Sequence, residues 1–353
     1  MIQTITGRSD FIERLKGKNA TFMLALSNTD TALIAGITQA GIPGQIYLTP
    51  TLDGEFVCTG AVHSLTQIPK TPTGIPTPAL LSRAVHLLAP FNAIELLNLG
   101  LTIPPKVEGF CVHDFGLSPS GSIDQNAQID ARILFEKGRA FGENYTPKSD
   151  YLLLGESVPS GTTTALATAL ALGYEAHEKF SSSFAHAPSS IKHTVLNKAL
   201  SHLKKSDTFF DTLGKVGDHM LIFTAGFLLG AHRKGYPIVL AGGTQMACVL
   251  LVLNAFLRYT NEPFDASSIA LATTKWVHED TNSDLKGLLE MLDFPINAYY
   301  ANFDFALSSH PLLALYDKGE AKEGVGAGGC LVYGFLQGLE KASITQKVEA
   351  FLA

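Results

Sequence analysis

Charge is scarce in this sequence. Asp, Glu, Lys and Arg make up 16% of its 353 residues, against roughly 25% in an average soluble domain. Less surface is therefore available for charge, which a large subunit interface or a crowded core would equally explain. No basic run exceeds "HLKK" at 202–205, and 26 Lys+Arg against 32 Asp+Glu give a net charge of -6. The electrostatic footprint of a nucleic-acid binder is missing. Cysteine is rare as well: Cys58, Cys111, Cys248 and Cys330 lie far apart in apolar surroundings and read as reduced thiols. The first residues, "MIQTITGRSD", lack a charged segment followed by an apolar one, so a cytoplasmic location is expected. Long hydrophobic runs are also wanting. "MLIFTAGFLLGA" and "MACVLLVLNAFL" hold about a dozen residues each, short of the roughly 20 that span a bilayer. They are expected as buried helices, with no membrane partner.

What is present is a recurring order of strand, turn and helix. Apolar runs are followed by Gly/Pro/Thr/Ser-rich turns and then helical patterns: "TFMLALS" before "NTDTALIAGITQAG", "YLLLG" before "ESVPSGTTTALATALALG", "YPIVLAGG" before "TQMACVLLVLNAFL", and "SIALATT" later. Such a series predicts an α/β fold with an open, mainly parallel Rossmann-like sheet and flanking helices. Ligands of such sheets sit beyond the carboxyl ends of the strands. Residues 21–330 are expected to form the nucleotide-binding and catalytic domain. Residues 1–20 and 331–353 both read as helical and are expected to pack together as a small terminal unit. Prolines at 69, 72, 76 and 78 stiffen an ordered loop, and Thr77-Pro78 reads as a helix start.

Three turns carry the candidate chemistry. "GVGAGG" at 324–329 satisfies G-x-G-x-x-G by letters, but no strand precedes it and no βαβ unit follows, so the dinucleotide reading fails. Its glycines then mean close approach, either of a ligand to the backbone or of one helix to its neighbour. "GESVPSGTTT" at 155–164 follows a strand and opens a helix with three threonines, which suits a phosphate monoester or ordinary capping. "AGGTQMA" at 241–247 repeats the arrangement, as a second phosphate-and-ribose turn or as tight packing. Eleven histidines show no H-x-x-x-H pair flanking an acid, and "HEDTNSD" lacks zinc partners. His113 and Asp114 of "CVHDFG" have no nucleophile elbow and read as surface or capping residues. No protein-bound metal and no cofactor are expected.

On these turns the chain resembles the nicotinate-nucleotide:dimethylbenzimidazole phosphoribosyltransferase family of cobalamin lower-ligand synthesis, and most of all its archaeal and cyanobacterial branch. The stretches that carry the resemblance are "FMLALSNTDTALIAGITQAG", "PTGIPTPALLSRA", "LGESVPSGTTTALATALALG", "KVGDHM", "VLAGGTQMA" and "KEGVGAGG", spanning residues 22–329. The resemblance implies a homodimer, a general base at Glu323 and a second catalytic carboxylate at Glu156. It implies phosphate and ribose contacts from Ser160, Gly161, Thr162, Thr163, Lys192, Gly242, Gly243, Thr244, Gln245, Gly324 and Gly326. One departure stands out: Leu240-Ala241-Gly242 replaces the Leu-Asp-Gly of the better-studied branch, so an acid near the ribose is lost.

The reaction so implied moves 5-phosphoribose from nicotinate mononucleotide to 5,6-dimethylbenzimidazole or a related base, with inversion at the anomeric carbon. An acceptor that loses an N–H proton as it attacks needs a carboxylate base, the role of Glu323. Oxocarbenium-like charge on the sugar is stabilised by a second carboxylate, the role of Glu156. The loop at 69–82 and the segment Phe303–Phe305 are expected to line the acceptor ring. A nucleotide N-glycosidase and a non-catalytic nucleotide-binding regulator are the alternatives.

Overall fold

A computed structural model of the chain describes all residues except 67, 69, 183 and 185–188, together with the side chain of 189. Pro69 of the stiffened loop therefore lies outside the described residues. Eight strands form one sheet: β1 (Ile2–Thr6), β2 (Ala20–Leu26), β3 (Ala93–Asn98), β4 (Cys111–Asp114), β5 (Tyr151–Ser157), β6 (Ile238–Ala241), β7 (Ile269–Thr274) and β8 (Asn297–Ala301). Their order is β1-β8-β7-β6-β5-β2-β3-β4. All pairings are parallel except that of β1 with β8. The expected α/β architecture is therefore present.

Central strands β2, β5, β6 and β7 are buried along their whole length. That is why they read as continuous apolar runs and not as alternating ones. One face of the sheet carries the helices Ala131–Asn144, Gly161–Ala171, Phe209–Val216, His219–Ala231 and Thr244–Thr260. The other carries Ser9–Glu13, Thr49–Thr59, Ala79–Leu88, Ala327–Leu336 and Lys341–Glu349. Helix His219–Ala231 has no exposed residue. It crosses Ala131–Asn144 almost backbone to backbone: a Cβ on Gly138 or Gly142 would overlap the carbonyls of Phe223 and Phe227, and one on Gly226 or Gly230 those of Phe135 and Arg139. No helix among the described residues is long and apolar enough to cross a membrane.

Two expectations need correction. "NTDTALIAGITQAG" forms only a short 3₁₀ turn, Asp30–Leu33, and then a loop. The Thr29 hydroxyl accepts from Thr31 N, and the Asn28 amide bonds Tyr47 O (3.0 Å) and Thr102 N (3.0 Å). Such side-chain bonds offer the backbone an alternative to helix. Residues 2–6, expected as helix, are the edge strand β1. The two ends of the chain nevertheless meet, with Gly17 N donating to Leu336 O and Gln337 Nε2 to Lys18 O.

Strand order positions the site. From β2 the chain winds outward through β3 and β4, then returns to the opposite side of β2 and winds outward again through β5 to β8. The reversal falls between β2 and β5, where open α/β sheets hold their ligands.

Candidate active site

A cleft opens at the carboxyl ends of β5, β6 and β7. It encloses about 940 Å³ with its open mouth included. Its wall includes Asp53, Lys70, Glu156, Ser160, Gly161, Thr162, Gly243, Thr244, Gln245, Lys322, Glu323 and Gly324.

Glu156 is the penultimate residue of β5 and is buried. Its backbone carbonyl accepts from Val325 N (2.7 Å), and a Cβ on Gly155 would lie 2.9 Å from Gly326 Cα. The Glu323 loop thus lies directly on the end of β5, which brings the two glutamates into one site. Burial, then the charge of Glu323, then that of Asp218, pushes the Glu156 carboxyl up to about 8.

Glu323 is held by four donors. Thr273 Oγ1 (3.0 Å) and Thr274 N (2.9 Å) bond Oε2; Gly324 N (3.2 Å) and Gly328 N (3.0 Å) bond Oε1. An ionised carboxylate offers about four lone-pair sites, so every one is engaged. Burial pushes the group up to about 7, against the downward pull of those four bonds. Thr273 is the one donor that can turn its hydrogen away, because a hydroxyl both donates and accepts.

The glycines beside Glu323 divide into two sets. Gly324, at φ 135°, lines the cleft. Gly326 packs on the Phe22 ring, while a Cβ on Gly328 would overlap the Thr273 backbone and one on Gly329 the Ala241 side chain. Their purpose is to seat the helix Ala327–Leu336 on the sheet.

At the second turn Ser160 takes a left-handed conformation (φ 63°) before the helix Gly161–Ala171. Among the described residues the buried Ser160 Oγ and Thr163 Oγ1 have no hydrogen-bond partner, nor does Gln245 Oε1 of the neighbouring helix. Unsatisfied buried polar atoms are costly, and here two hydroxyls gather at one helix N-terminus, where anions bind. Thr162 faces the cleft. Thr163 is buried behind it, and Gly242 and Gly326 lie outside the cleft wall.

Lys192, on the helix Ser189–Ser201, also lies outside that wall. It is 8% exposed, and among the described residues it has no ion-pair partner. Burial, then the charge of Lys322, lowers its amine to about 8. Lys322 itself pairs with Asp280 (3.0 Å) and donates to Ser182 O (3.1 Å) and Phe184 O (3.0 Å).

Sequence reasoning missed two acids. Asp53, from the helix Thr49–Thr59, accepts from Thr77 Oγ1 (2.6 Å) and Ser157 Oγ (2.7 Å). Asp218 caps the helix His219–Ala231 through Leu221 N (2.9 Å) and accepts from the Thr164 hydroxyl. Burial pushes each up to about 6. The available signal was an acid inside an otherwise apolar stretch, as in "TPTLDGEF", and the aspartate of "KVGDHM".

The acceptor-ring expectation is half corrected. Lys70, Thr71 and Ile75–Pro78 line the cleft, but Phe303 and Phe305 are buried against Trp276 and Tyr316. Among the described residues no aromatic side chain lines the cleft.

A family model described as Phosphoribosyltransferase (DBI_PRT) matches residues 127–259. A UPF0284 protein of Saccharolobus solfataricus is 36% identical over 335 residues, covering 94% of this chain and 92% of its own. One from Sulfolobus acidocaldarius is 35% identical over 350 residues, covering 96% and 98%. Among solved structures, the nicotinate-nucleotide-dimethylbenzimidazole phosphoribosyltransferase of Thermus thermophilus superposes with a TM-score of 0.58 at 17% identity, over 96% of this chain and 86% of that one. CobT from Thermus thermophilus gives 0.54 at 17%, over 94% and 84%. At that identity the structural likeness speaks for the fold.

Proposed function

The chain belongs to the UPF0284 family and carries a phosphoribosyltransferase segment, and from that premise we propose that it moves 5-phosphoribose from nicotinate mononucleotide to 5,6-dimethylbenzimidazole or a related azole. The product is an α-riboside 5′-phosphate. One observation carries this reading: two buried glutamates with raised proton affinity stand beside a helix N-terminus where, among the described residues, two buried hydroxyls have no hydrogen-bond partner. That is a pair of carboxyl groups next to a phosphate seat.

In the proposed reaction the donor phosphate sits at Ser160–Thr163, and the ribose lies toward Gly243–Gln245. The acceptor rests on the aliphatic surface of Ile75, Pro76, Pro78 and Val325. One acceptor nitrogen attacks the anomeric carbon, and the bonding pair of the old C–N bond returns to nicotinate, neutralising its ring. The proton on the other acceptor nitrogen passes to Glu323 as Thr273 turns its hydroxyl hydrogen aside. A base poised near 7 suits this transfer at neutral pH.

Glu156 is mostly protonated in the empty site, since burial holds it near 8. A cationic pyridinium beside it favours the ionised form. The proton therefore leaves as the donor binds, and the resulting carboxylate stabilises the positive charge that develops on the sugar.

The test is incubation of the purified protein with nicotinate mononucleotide, with and without 5,6-dimethylbenzimidazole. Nicotinate and riboside phosphate are followed by chromatography and mass spectrometry, beside Glu323→Gln. Riboside that forms only with acceptor, and falls at least a hundredfold in the variant, supports the transferase and its base. Nicotinate released at the same rate without acceptor sinks it in favour of a glycosidase, and binding without turnover leaves a nucleotide-binding regulator.

A further inference from the structure

Away from the cleft, Glu95, Cys111 and His113 converge on one face of the sheet edge. Glu95 on β3 pairs in register with Cys111 on β4, and His113 follows Cys111 by two residues. Strand alternation sends both β4 side chains to the same side. His113 Nε2 stands 2.8 Å from Glu95 Oε2 and 3.4 Å from Cys111 Sγ. All three ligand atoms fall within 4.8 Å of one another.

A simple ion pair would account for His113 and Glu95 but leaves the thiol unexplained. Around a tetrahedral zinc, with Zn–S about 2.3 Å and Zn–N about 2.0 Å, sulfur and nitrogen ligands stand about 3.5 Å apart. Cys111 and His113 already have that spacing. A zinc would draw Glu95 back from His113 by about half an ångström, and the Glu95 carboxylate lies within 4.8 Å of the Cys111 thiol. Its other oxygen, Oε1, is held by Lys148 Nζ at 3.2 Å, the kind of outer partner that orients a ligating carboxylate.

Thiolate, carboxylate and imidazole together neutralise a divalent ion, and this mixture of donors favours zinc over magnesium or calcium.

We propose that Glu95, Cys111 and His113 bind one Zn²⁺, which pins the four-residue edge strand β4 to β3. Binding displaces the Cys111 thiol proton to solvent and changes no oxidation state. This site is independent of the proposed transferase activity.

The experiment uses untagged full-length protein, stripped with a chelator and titrated with Co²⁺ and separately with Zn²⁺. A thiolate-to-cobalt charge-transfer band is expected to saturate at about one equivalent. Zn²⁺ is expected to bleach it and to raise the melting midpoint, while Mg²⁺ does neither. Cys58, Cys248 and Cys330 are buried, so Cys111→Ser is expected to abolish the band, and His113→Gln to weaken cobalt binding at least tenfold. No band in the wild-type protein, or a band that survives Cys111→Ser, would overturn the proposal.

Discussion

Thr273→Val tests the base assignment more sharply than deleting the glutamate does. Thr273 is fully buried on β7 and donates to Glu323 Oε2 at 3.0 Å. Valine keeps its shape and removes only the hydroxyl. A hydrogen bond to a charged group is worth about 1.5–3 kcal/mol, and 1.36 kcal/mol is one pKa unit. That bond stabilises the ionised form, so its loss should lift Glu323 from about 7 by about one to two units. The assay is kcat for riboside formation against pH at saturating nicotinate mononucleotide, where Glu156 has already lost its proton. The wild-type acid limb should fall at about 7, and that of the variant at about 8 or above. At pH 7 the variant should run about fivefold slower, because roughly a tenth of its base is free against half in the wild type. Near pH 9.5 the two should converge, and Thr273→Ser, which restores a donor, should return the limb to its original place. A uniform loss at every pH with the limb unmoved would refute the reasoning, because Thr273 would then matter through packing and some other group would titrate.

Asp53 has a folded pKa of about 6 against 3.8 unfolded; its contribution to stability is present below about 4 and is lost as pH rises through 6. Asp53→Asn should therefore gain almost nothing at pH 4 and up to about 3 kcal/mol at pH 8, and urea melts that show a pH-independent difference would contradict this. Thr163→Val removes a buried unpartnered hydroxyl, so the unliganded protein should gain about 1 kcal/mol while KM for nicotinate mononucleotide rises about tenfold; a raised melting midpoint with unchanged KM would take Thr163 out of the phosphate seat. Lys192 has a folded pKa of about 8 against 10.5, a depressed base whose cost to stability is full below 8 and gone above 10.5. Lys192→Met should thus stabilise the unliganded protein at pH 7 by up to about 3 kcal/mol and abolish the melting shift caused by inorganic phosphate; a phosphate shift left intact would separate Lys192 from the anion site.

Of the parallel strands, β2, β5, β6 and β7 were legible, because burial on both faces writes them as unbroken apolar runs, as in "YLLLG" and "YPIVLAGG". β1 was not, since "IQTIT" is partly exposed and owes its form to pairing with β8, a partner nearly the whole chain away. The loop after β2 has apolar letters at helical spacing, but the amide of Asn28 and the hydroxyl of Thr29 turn the backbone aside. Only contacts reveal that. The donors at Glu95, Cys111 and His113 escaped for a related reason: a search for histidines one helical turn apart does not see C-x-H, which shares a face only on a strand.

Glu156 and Glu323 were legible as acids set beside glycine turns. What could not be read is that Asp53 and Asp218 join them, because a carboxyl group becomes chemically unusual only when the fold buries it. All four are pushed upward chiefly by burial. A site meant only for a phosphate would be poorly served by four acids, whose ionised forms repel it. A site that must accept a cationic pyridinium, steady a positive sugar carbon and then take a proton has a use for them. In the proposed reaction the empty cleft keeps Glu156 largely protonated near neutral pH, and so avoids burying unpaired charge until a cationic donor replaces the proton. The acids thereby favour a reaction at the sugar over mere nucleotide binding, a distinction that no stretch of the sequence carries by itself.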